Sequence, residues 1–520
     1  MKLTKQILCL LLAVLMMFAV VACGGDPEDT QNNNQTNNGG TTTPDPSNPG
    51  NTGDPGTSGT TSSEEGPIKK DMQNKEFILR SLVQPANGKS FDADRDGTVV
   101  NNAVFQRNDD LEARLNCKFT VEETVGDTNT NAFYDEMQTL KDGYSYDIVT
   151  TATYKMVRLA VEGMLHDLAS QEYIDLEQDY YDDGYNRALN AAGRQYLTTG
   201  KYTISWYRYQ ICCLFNRNLV KENNLAYPYD TVLNQQWTTE EMMKYSSKLY
   251  KDLNGNGEYD VDDQFGLFMF VGGSSSQTDG WMGAFNLRLV EKTEDGYYKM
   301  MEIDKATWGQ SINDLLTLIE GNGSWCTNAI GNVGVENKFI AGEAGLICYR
   351  MYVVENEAMM KLGRTREGYG IVPLPKANLD QEDYSSYVQD QVLTFGIPNT
   401  VAIGEDLDDT TLFYETFAYE SYKTVMPAYY ERALTKRYVI DERSKAMIEI
   451  IDSNIYVDPV NVYYGTYFPL TTGSLRSCYD GSKTITSILE ANYGEAFEEK
   501  CDALNSALQD LDLRLKEQGL

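Results

Sequence analysis

Hydrophobic and polar positions divide this 520-residue chain into three stretches of different patterning. Behind Lys2 and Lys5, Ile7 to Val21 is an almost unbroken apolar run, and it ends in Val20-Val21-Ala22-Cys23. A short positive start, an apolar run of this length and small residues at its end read as a secretory signal over residues 1–22. A membrane span would need about 20 apolar residues. Gly24 to Gly66 then contains no large hydrophobic residue; Asn, Thr, Gly, Pro, Ser and Asp dominate it. Such a stretch cannot bury enough apolar surface to offset the entropy of ordering, so it reads as a flexible tether with a root-mean-square span of roughly 35 to 40 Å.

Beyond the tether the apolar positions recur at the spacings of ordered elements. Lys75 to Val83 reads as a strand, and Asn101 to Leu115 as a helix with Ala103, Val104, Leu111 and Leu115 on its inner face. Cys117 to Val121 alternates as a strand, Asn131 to Leu140 is helical, and Tyr146 to Val149 is a short strand after Asp142-Gly143. Strand and helix in alternation predict an open α/β sheet. The apolar run Ile211 to Phe215 predicts a strand that sends Cys212 and Cys213 to opposite faces as core residues. Trp237-Thr-Thr-Glu-Glu-Met-Met opens a helix with Thr238 as cap and Glu241 three residues on, a capping-box pattern that makes Trp237 a structural anchor. Phe497, Cys501, Leu504, Leu508 and Leu511 recur at three and four, so the last segment is an amphipathic helix packed on the body.

Composition narrows the picture. About 450 residues follow the tether, more than one hydrophobic core usually organises, which favours two lobes. Loss of Lys2 and Lys5 with the signal takes the formal charge of −33 to −35. Nucleic acid and anionic membrane surfaces, bound mainly through Lys and Arg, are poor partners for such a body. Besides Cys9 and Cys23 the chain has Cys117, Cys212, Cys213, Cys326, Cys348, Cys478 and Cys501, an odd set without a C-x-x-C spacing, and His166 is its only histidine. Neither a disulfide framework nor a Cys/His zinc site is indicated. The turn-like apolar setting of His166 suits a structural role and leaves no Ser/His/Asp or Cys/His nucleophile. No flanking motif singles out a glycosidase carboxylate pair among 77 acidic residues.

The sharpest local motif is Asp252-Leu-Asn254-Gly-Asn256-Gly257-Glu258-Tyr-Asp260-Val-Asp-Asp263. Asp252, Asn254, Asn256, Glu258, Asp260 and Asp263 occupy calcium-loop positions 1, 3, 5, 7, 9 and 12, with Gly257 at the sharp sixth position and Glu258 offering its carbonyl. A structural Ca2+ that rigidifies the loop is expected; the alternative is a plain polar turn. Asp92-Ala-Asp94-Arg-Asp96-Gly97 begins similarly but has Ala103 at the twelfth position.

Val20-Val21-Ala22-Cys23 resembles the bacterial lipoprotein lipobox, which implies cleavage before Cys23 and lipidation there. Diacylglyceryl and N-acyl chains together anchor stably where one chain does not. Several further segments together resemble the extracellular solute-binding proteins of bacterial ABC importers, particularly the carbohydrate-type group. They are Asp147-Ile-Val-Thr with Gly163-Met-Leu-His-Asp-Leu, Phe215-Asn-Arg-Asn-Leu219, Trp237-Thr-Thr-Glu-Glu, Phe339-Ile-Ala-Gly-Glu-Ala-Gly-Leu, and Tyr369-Gly-Ile-Val-Pro-Leu-Pro-Lys, in the family's order. The resemblance is thin past Asp406, and Arg350 departs from the small residues common at its position.

This resemblance implies an α/β, two-lobed periplasmic-binding-protein fold of the type II, venus-flytrap kind, with crossing hinge strands and ligand between the lobes. Lobe one is expected at 71–208 plus 370–428 and lobe two at 209–369 plus 429–520. The implied function is capture of a small solute, an oligosaccharide by preference, for an ABC permease, by a monomer tethered through Cys23 at the extracellular face of the cell membrane. A surface-anchored carbohydrate-active enzyme and an adhesion or signalling receptor are the alternatives. Sugar rings stack on aromatic faces, so Trp206, before a crossing, and Trp281 with Asp279, after a Gly-rich loop, are expected at the cleft rim. Tyr352 falls where family members often stack a ring on sugar, and Tyr154, Arg350 and Tyr387 complete the expected contacts. The alternative for both tryptophans is the core.

Overall fold

The first strand, β1 (Lys75–Val83), buries Phe77 and Leu79 fully and leaves Glu76 exposed, as a half-covered strand requires. The computed structural model describes residues 66–85, 90–128, 130–140, 146–271, 276–327, 331–430, 441–463, 468 and 484–517. The signal, Cys23, the tether through residue 65 and Cys478 lie outside the described residues. β1 pairs in parallel with β2 (Cys117–Val125) on one side and β3 (Ile148–Ala152) on the other. The helix Val99–Leu115 connects the first pair, and Ala132–Thr139 precedes β3.

A second sheet begins with β4 (Ile211–Asn216), all six residues of which are buried. Its other members are β5 (Phe265–Phe270), β8 (Ser324–Thr327), β9 (Ala344–Arg350) and β10 (Tyr369–Val372), in the order β10-β4-β9-β5-β8. Between β5 and β8 lies a small hairpin, β6 (Val290–Lys292) with β7 (Tyr298–Met300). The chain returns through β11 (Ser386–Tyr387), paired with the late strand β13 (Ile455–Tyr456), to β12 (Leu393–Gly396), which closes the first sheet in the order β12-β3-β1-β2. Two segments therefore cross between the sheets, one around residues 203–211 and one from 373 to 393. β10 still belongs to the second sheet, and the chain rejoins the first at β12.

One face of the first sheet carries an aromatic core against the helix Glu405–Glu420, where Phe77 stacks on Phe413 with ring centroids 4.4 Å apart. The larger core runs under both sheets and includes the final helix, Glu495–Glu517, through Phe497, Cys501, Leu504, Leu508, Leu511 and Leu515. Those are the positions its three- and four-residue periodicity marks. Gly163, at φ +73°, stops the helix Thr153–Val161 in the left-handed region, and a Cβ there would lie 2.7 Å from Leu511 Cδ1. Both a turn and a helix contact thus call for glycine. Thr238 caps Thr239–Leu249 by accepting from Glu241 N, and buried Trp237 donates Nε1 to the Pro373 carbonyl over 3.1 Å. No described helix is long and apolar enough to cross a membrane.

Candidate functional site

The connectivity of the first sheet reverses at β1: the chain goes from β1 outward to β2, then to β3 on the opposite side. Loops leaving neighbouring parallel strands diverge at such a point, and the gap beyond their carboxyl ends is where open α/β sheets hold ligands. Three side chains meet there. Gln84 follows β1, Thr128 follows β2 and Tyr154 follows β3. Gln84 Nε2 donates to Thr128 Oγ1, and Tyr154 OH lies 3.1 Å from the same oxygen. Thr128 Oγ1 reaches Gln391 Oε1 at 3.1 Å, which joins this corner to the returning crossing. Burial pushes the Tyr154 phenol up to about 12, with Thr128 opposing and Asp390 adding to the shift, so it stays a neutral hydroxyl.

The second sheet contributes the carboxyl end of β9. Arg350 pairs in register with Ile211 at the start of β4, and Met351 N donates to the Gln210 carbonyl. Val388 bridges Gln210, and Gln389 N donates to the Tyr209 carbonyl, so the return crossing lies beside the outward one. Arg350 Nη1 donates to Gln389 Oε1 over 3.2 Å, and the guanidinium lies 4.7 Å from the Tyr352 ring centroid and 5.5 Å from that of Tyr349. Gln389 thus meets the second sheet and Gln391 the first, two residues apart. Tyr154, Arg350 and Tyr352 of the expected contacts are gathered around this strip.

Three polar atoms here are buried without a hydrogen-bond partner among the described residues: Arg350 Nε, Gln210 Oε1 and Trp281 Nε1. They sit on elements packed together, since a Cβ on Gly280 would lie 2.7 Å from Ile211 Cγ2. Unpaired buried polar atoms are uncommon in native folds. Ordered water or another polar molecule at this junction would pair them.

The remaining expectations fare differently. Trp206 is 0 % exposed; it lies edge-on to Tyr185 and donates Nε1 to Asp452 Oδ1 at 2.8 Å, so its ring is core at the crossing, not rim. Tyr387 is also core, pressed under the helix Ser276–Ala284 where a Gly283 Cβ would approach its Cβ to 2.8 Å. Trp281, on that helix, is 0 % exposed, with only its Nε1 unsatisfied. The Asp279 side chain and Gly272 to Ser275 lie outside the described residues. Gln84, Thr128, Gln389 and Gln391 escaped sequence reasoning because single amides and hydroxyls in loops carry no spacing signal; the return crossing itself was the available clue.

The Asp252–Asp263 loop folds on its own carboxylates. Asp252 accepts from Gly255 N at 2.6 Å and Gly257 N at 2.9 Å, Asp260 accepts from Asn256 Nδ2 at 2.8 Å, and buried Asp263 accepts from Tyr250 OH at 2.8 Å. Gly255 and Gly257 both have positive φ, and Lys251 bridges Gln264 to close the base. Among the described residues no three Asp, Glu, Cys or His side chains converge as a metal-holding group. The oxygens of Asn254 and Asn256 would have to complete any set: Asn254 Oδ1 accepts from Asn256 N and Asn256 Oδ1 from Glu258 N. In the other acidic loop, Asp96 is the partner of Thr98 N, Thr98 Oγ1 and Asn101 Nδ2 at the start of a helix. His166, 5 % exposed, pairs Nε2 with the Val401 carbonyl at 2.9 Å, and burial lowers its pKa.

No family model matches the sequence, and no curated protein matches it. Solved structures do. A sugar transporter protein of Rhizobium etli, in an open conformation, superposes with a TM-score of 0.54 at 16% identity, covering 82% of this chain and 99% of that one. An ABC substrate-binding protein of Listeria monocytogenes in complex with cycloalternan gives 0.50 at 12%, covering 84% and 99%. The UspC protein of M. tuberculosis gives 0.50 at 11%, covering 83% and 100%. The chain shares with them one architecture, the α/β, two-lobed periplasmic-binding fold.

Proposed function

We propose that this chain is a solute receptor that captures a saccharide between its two sheets and delivers it to an ABC transporter permease. The observation that carries the reading is the junction itself: Tyr154 with Thr128, the Gln389–Gln391 strip and Arg350 with Tyr352 come from both sheets and both crossings, with unpaired polar atoms among them. A ligand held by groups from both sides stabilises the state in which they face it together, and the partner that reads that state receives a loaded receptor. Hydroxyls fit amide and phenol partners, and sugar C–H faces fit tyrosine rings. Binding proteins of the same fold, among them a sugar transporter protein and a cycloalternan complex, support this ligand class.

The receptor acts without catalysis of its own, as a monomer of two lobes; β10 goes with the second sheet, so the return to lobe one comes after Val372 and not at residue 370. A lipid on Cys23 and the tether hold it at the outer face of the membrane, within reach of both solute and permease. A Ca2+ in the Asp252–Asp263 loop stiffens that loop without taking part in binding. The test is a thermal-shift screen against saccharides, peptides and polyamines, followed by calorimetry, because ligand bound only by the native state raises stability as RT ln(1 + [L]/Kd). Saccharides are expected to shift the transition, and Tyr352→Ala to remove the shift. Peptides or polyamines binding in their place, or hydrolysis of a glycan panel, would refute the proposal.

A further inference from the structure

Arg350 is an unusual arginine for this molecule. Comparably shielded arginines hold carboxylates: Arg80 holds Glu136, Arg194 holds Asp512, Arg217 holds Asp441, and Arg208 grips both oxygens of Glu355 at 2.8 Å. Arg350 has no carboxylate within ion-pair reach among the described residues, in a chain with 77 acidic and 44 basic residues. Of its five N–H donors it uses one, toward the neutral Gln389, and its Nε is buried unpaired. Arg107 also lacks a carboxylate, but its guanidinium is satisfied by Asn108, Ser421 and the Phe91 carbonyl.

Of the neighbouring acids, Asp390 beside Gln389 makes no ion pair with Arg350 and acts on Tyr154 and Tyr209 through its charge, and two others are engaged elsewhere. Glu355 takes Arg208 and the Tyr429 hydroxyl, and Glu336 takes the Tyr349 hydroxyl and Asn356 Nδ2. The Tyr349 and Tyr352 rings hold the guanidinium beside the junction without neutralising it. A partly desolvated cation with open donors favours an anion that meets its planar fork, and such charge-assisted bonds are roughly twice as strong as neutral ones.

We propose that Arg350 makes the site selective for saccharides that carry an anionic group, a carboxylate or a sulfate ester, over their neutral counterparts. The inference rests on the saccharide-receptor reading above. Its test is calorimetry with matched pairs: trigalacturonic acid against its methyl ester, and a sulfated disaccharide against its desulfated form. Each anionic probe that fits is expected to bind at least about tenfold more tightly than its neutral partner, and raising the salt is expected to narrow the gap. Arg350→Met, which keeps an apolar stem between the two rings, is expected to bring the anionic probe down to the neutral one's affinity, and Arg350→Lys to restore part of the preference. A gap for only one pair identifies which of the two groups is read. The comparison of probes on the unaltered protein stands even where Arg350→Met lowers the unliganded melting temperature. Neutral saccharides bound as tightly as anionic ones, or a gap that persists in Arg350→Met, overturns the inference and leaves the receptor reading intact. Failure of every saccharide, charged or neutral, overturns that reading and the inference with it.

Discussion

Trp206 Nε1 donates to Asp452 Oδ1 over 2.8 Å, and the same carboxylate accepts from Gln210 Nε2 at 2.8 Å and pairs with Lys201 at 3.1 Å. Trp206 and Gln210 of the outward crossing, with Lys201 just before it, converge on the end of the helix Glu442–Ser453. A largely shielded carboxylate with several donors is held firmly, and leaving one buried donor without its partner costs more than the bond itself is worth. Asp452 therefore fixes the path by which the chain passes from one sheet to the other.

Trp206→Phe is expected to lower unfolding free energy by about 1 to 3 kcal/mol through the lost bond, and Trp206→Ala by about 3 to 5 kcal/mol through the lost ring. Ligand affinity in Trp206→Phe is expected to stay within a few-fold of the parent. Urea denaturation together with calorimetry checks both. Unchanged stability with lost affinity would return this ring to the binding site.

Position in the sequence placed Trp206 near the crossing but said nothing about which way the ring faces, because rim and core both accept tryptophan and only Asp452, 246 residues away, decides between them. The same holds for Tyr387, whose burial depends on the small Gly283 on another helix. Local patterning served better where neighbours in sequence are also neighbours in space. The final helix shows its period in Phe497 through Leu511, the Thr238 cap needs only Glu241, and β1 to β3 alternate with their helices. The proposed site is assembled from Thr128, Tyr154, Arg350 and Gln391, residues brought together by topology, and no window of sequence contains them.

Calcium is expected to raise the melting temperature of the purified protein relative to chelator, and Asp252→Ala with Asp260→Ala to abolish that difference, the chelated protein losing only what the bonds to Gly255, Gly257 and Asn256 contribute. The ion-dependent part of the melting temperature is read as the calcium-minus-chelator difference within each protein, which cancels the loop bonds lost in both conditions. Identical melting curves of the parent in calcium and in chelator would show that the Asp252 and Asp260 carboxylates act only as partners of Gly255, Gly257 and Asn256.

Cys23→Ser is expected to move the protein from the membrane fraction to the soluble one or to leave its signal uncleaved, since the thiol would carry the lipid that holds it. Two acyl chains or more are needed for stable anchoring. Fractionation followed by immunodetection reads the outcome. Membrane association that still requires detergent in this variant would end the lipoprotein reading.

Glu415 supplies a pH signature that is independent of ligand. It is 4 % exposed, accepts from Tyr181 OH at 2.8 Å, from Tyr180 OH and from Asp175 N at 3.4 Å, yet desolvation outweighs these donors and pushes its carboxyl up to about 7. Below about 4.5, the ordinary carboxyl value, folded and unfolded chains both carry the proton. Between there and about 7 the folded chain keeps a proton the unfolded chain has lost, so stability falls as pH rises through that window and levels off above it, by about 3 kcal/mol at most. Glu415→Gln removes this titration. The stability of the parent minus that of Glu415→Gln is therefore expected to fall from pH 4.5 to pH 7.5. Asp147 and Asp182, which burial also pushes up to about 6, titrate in both proteins and cancel. Urea denaturation of the two proteins across this range measures the difference; parallel curves would mean that the three donors hold Glu415 ionised in the fold at no net cost.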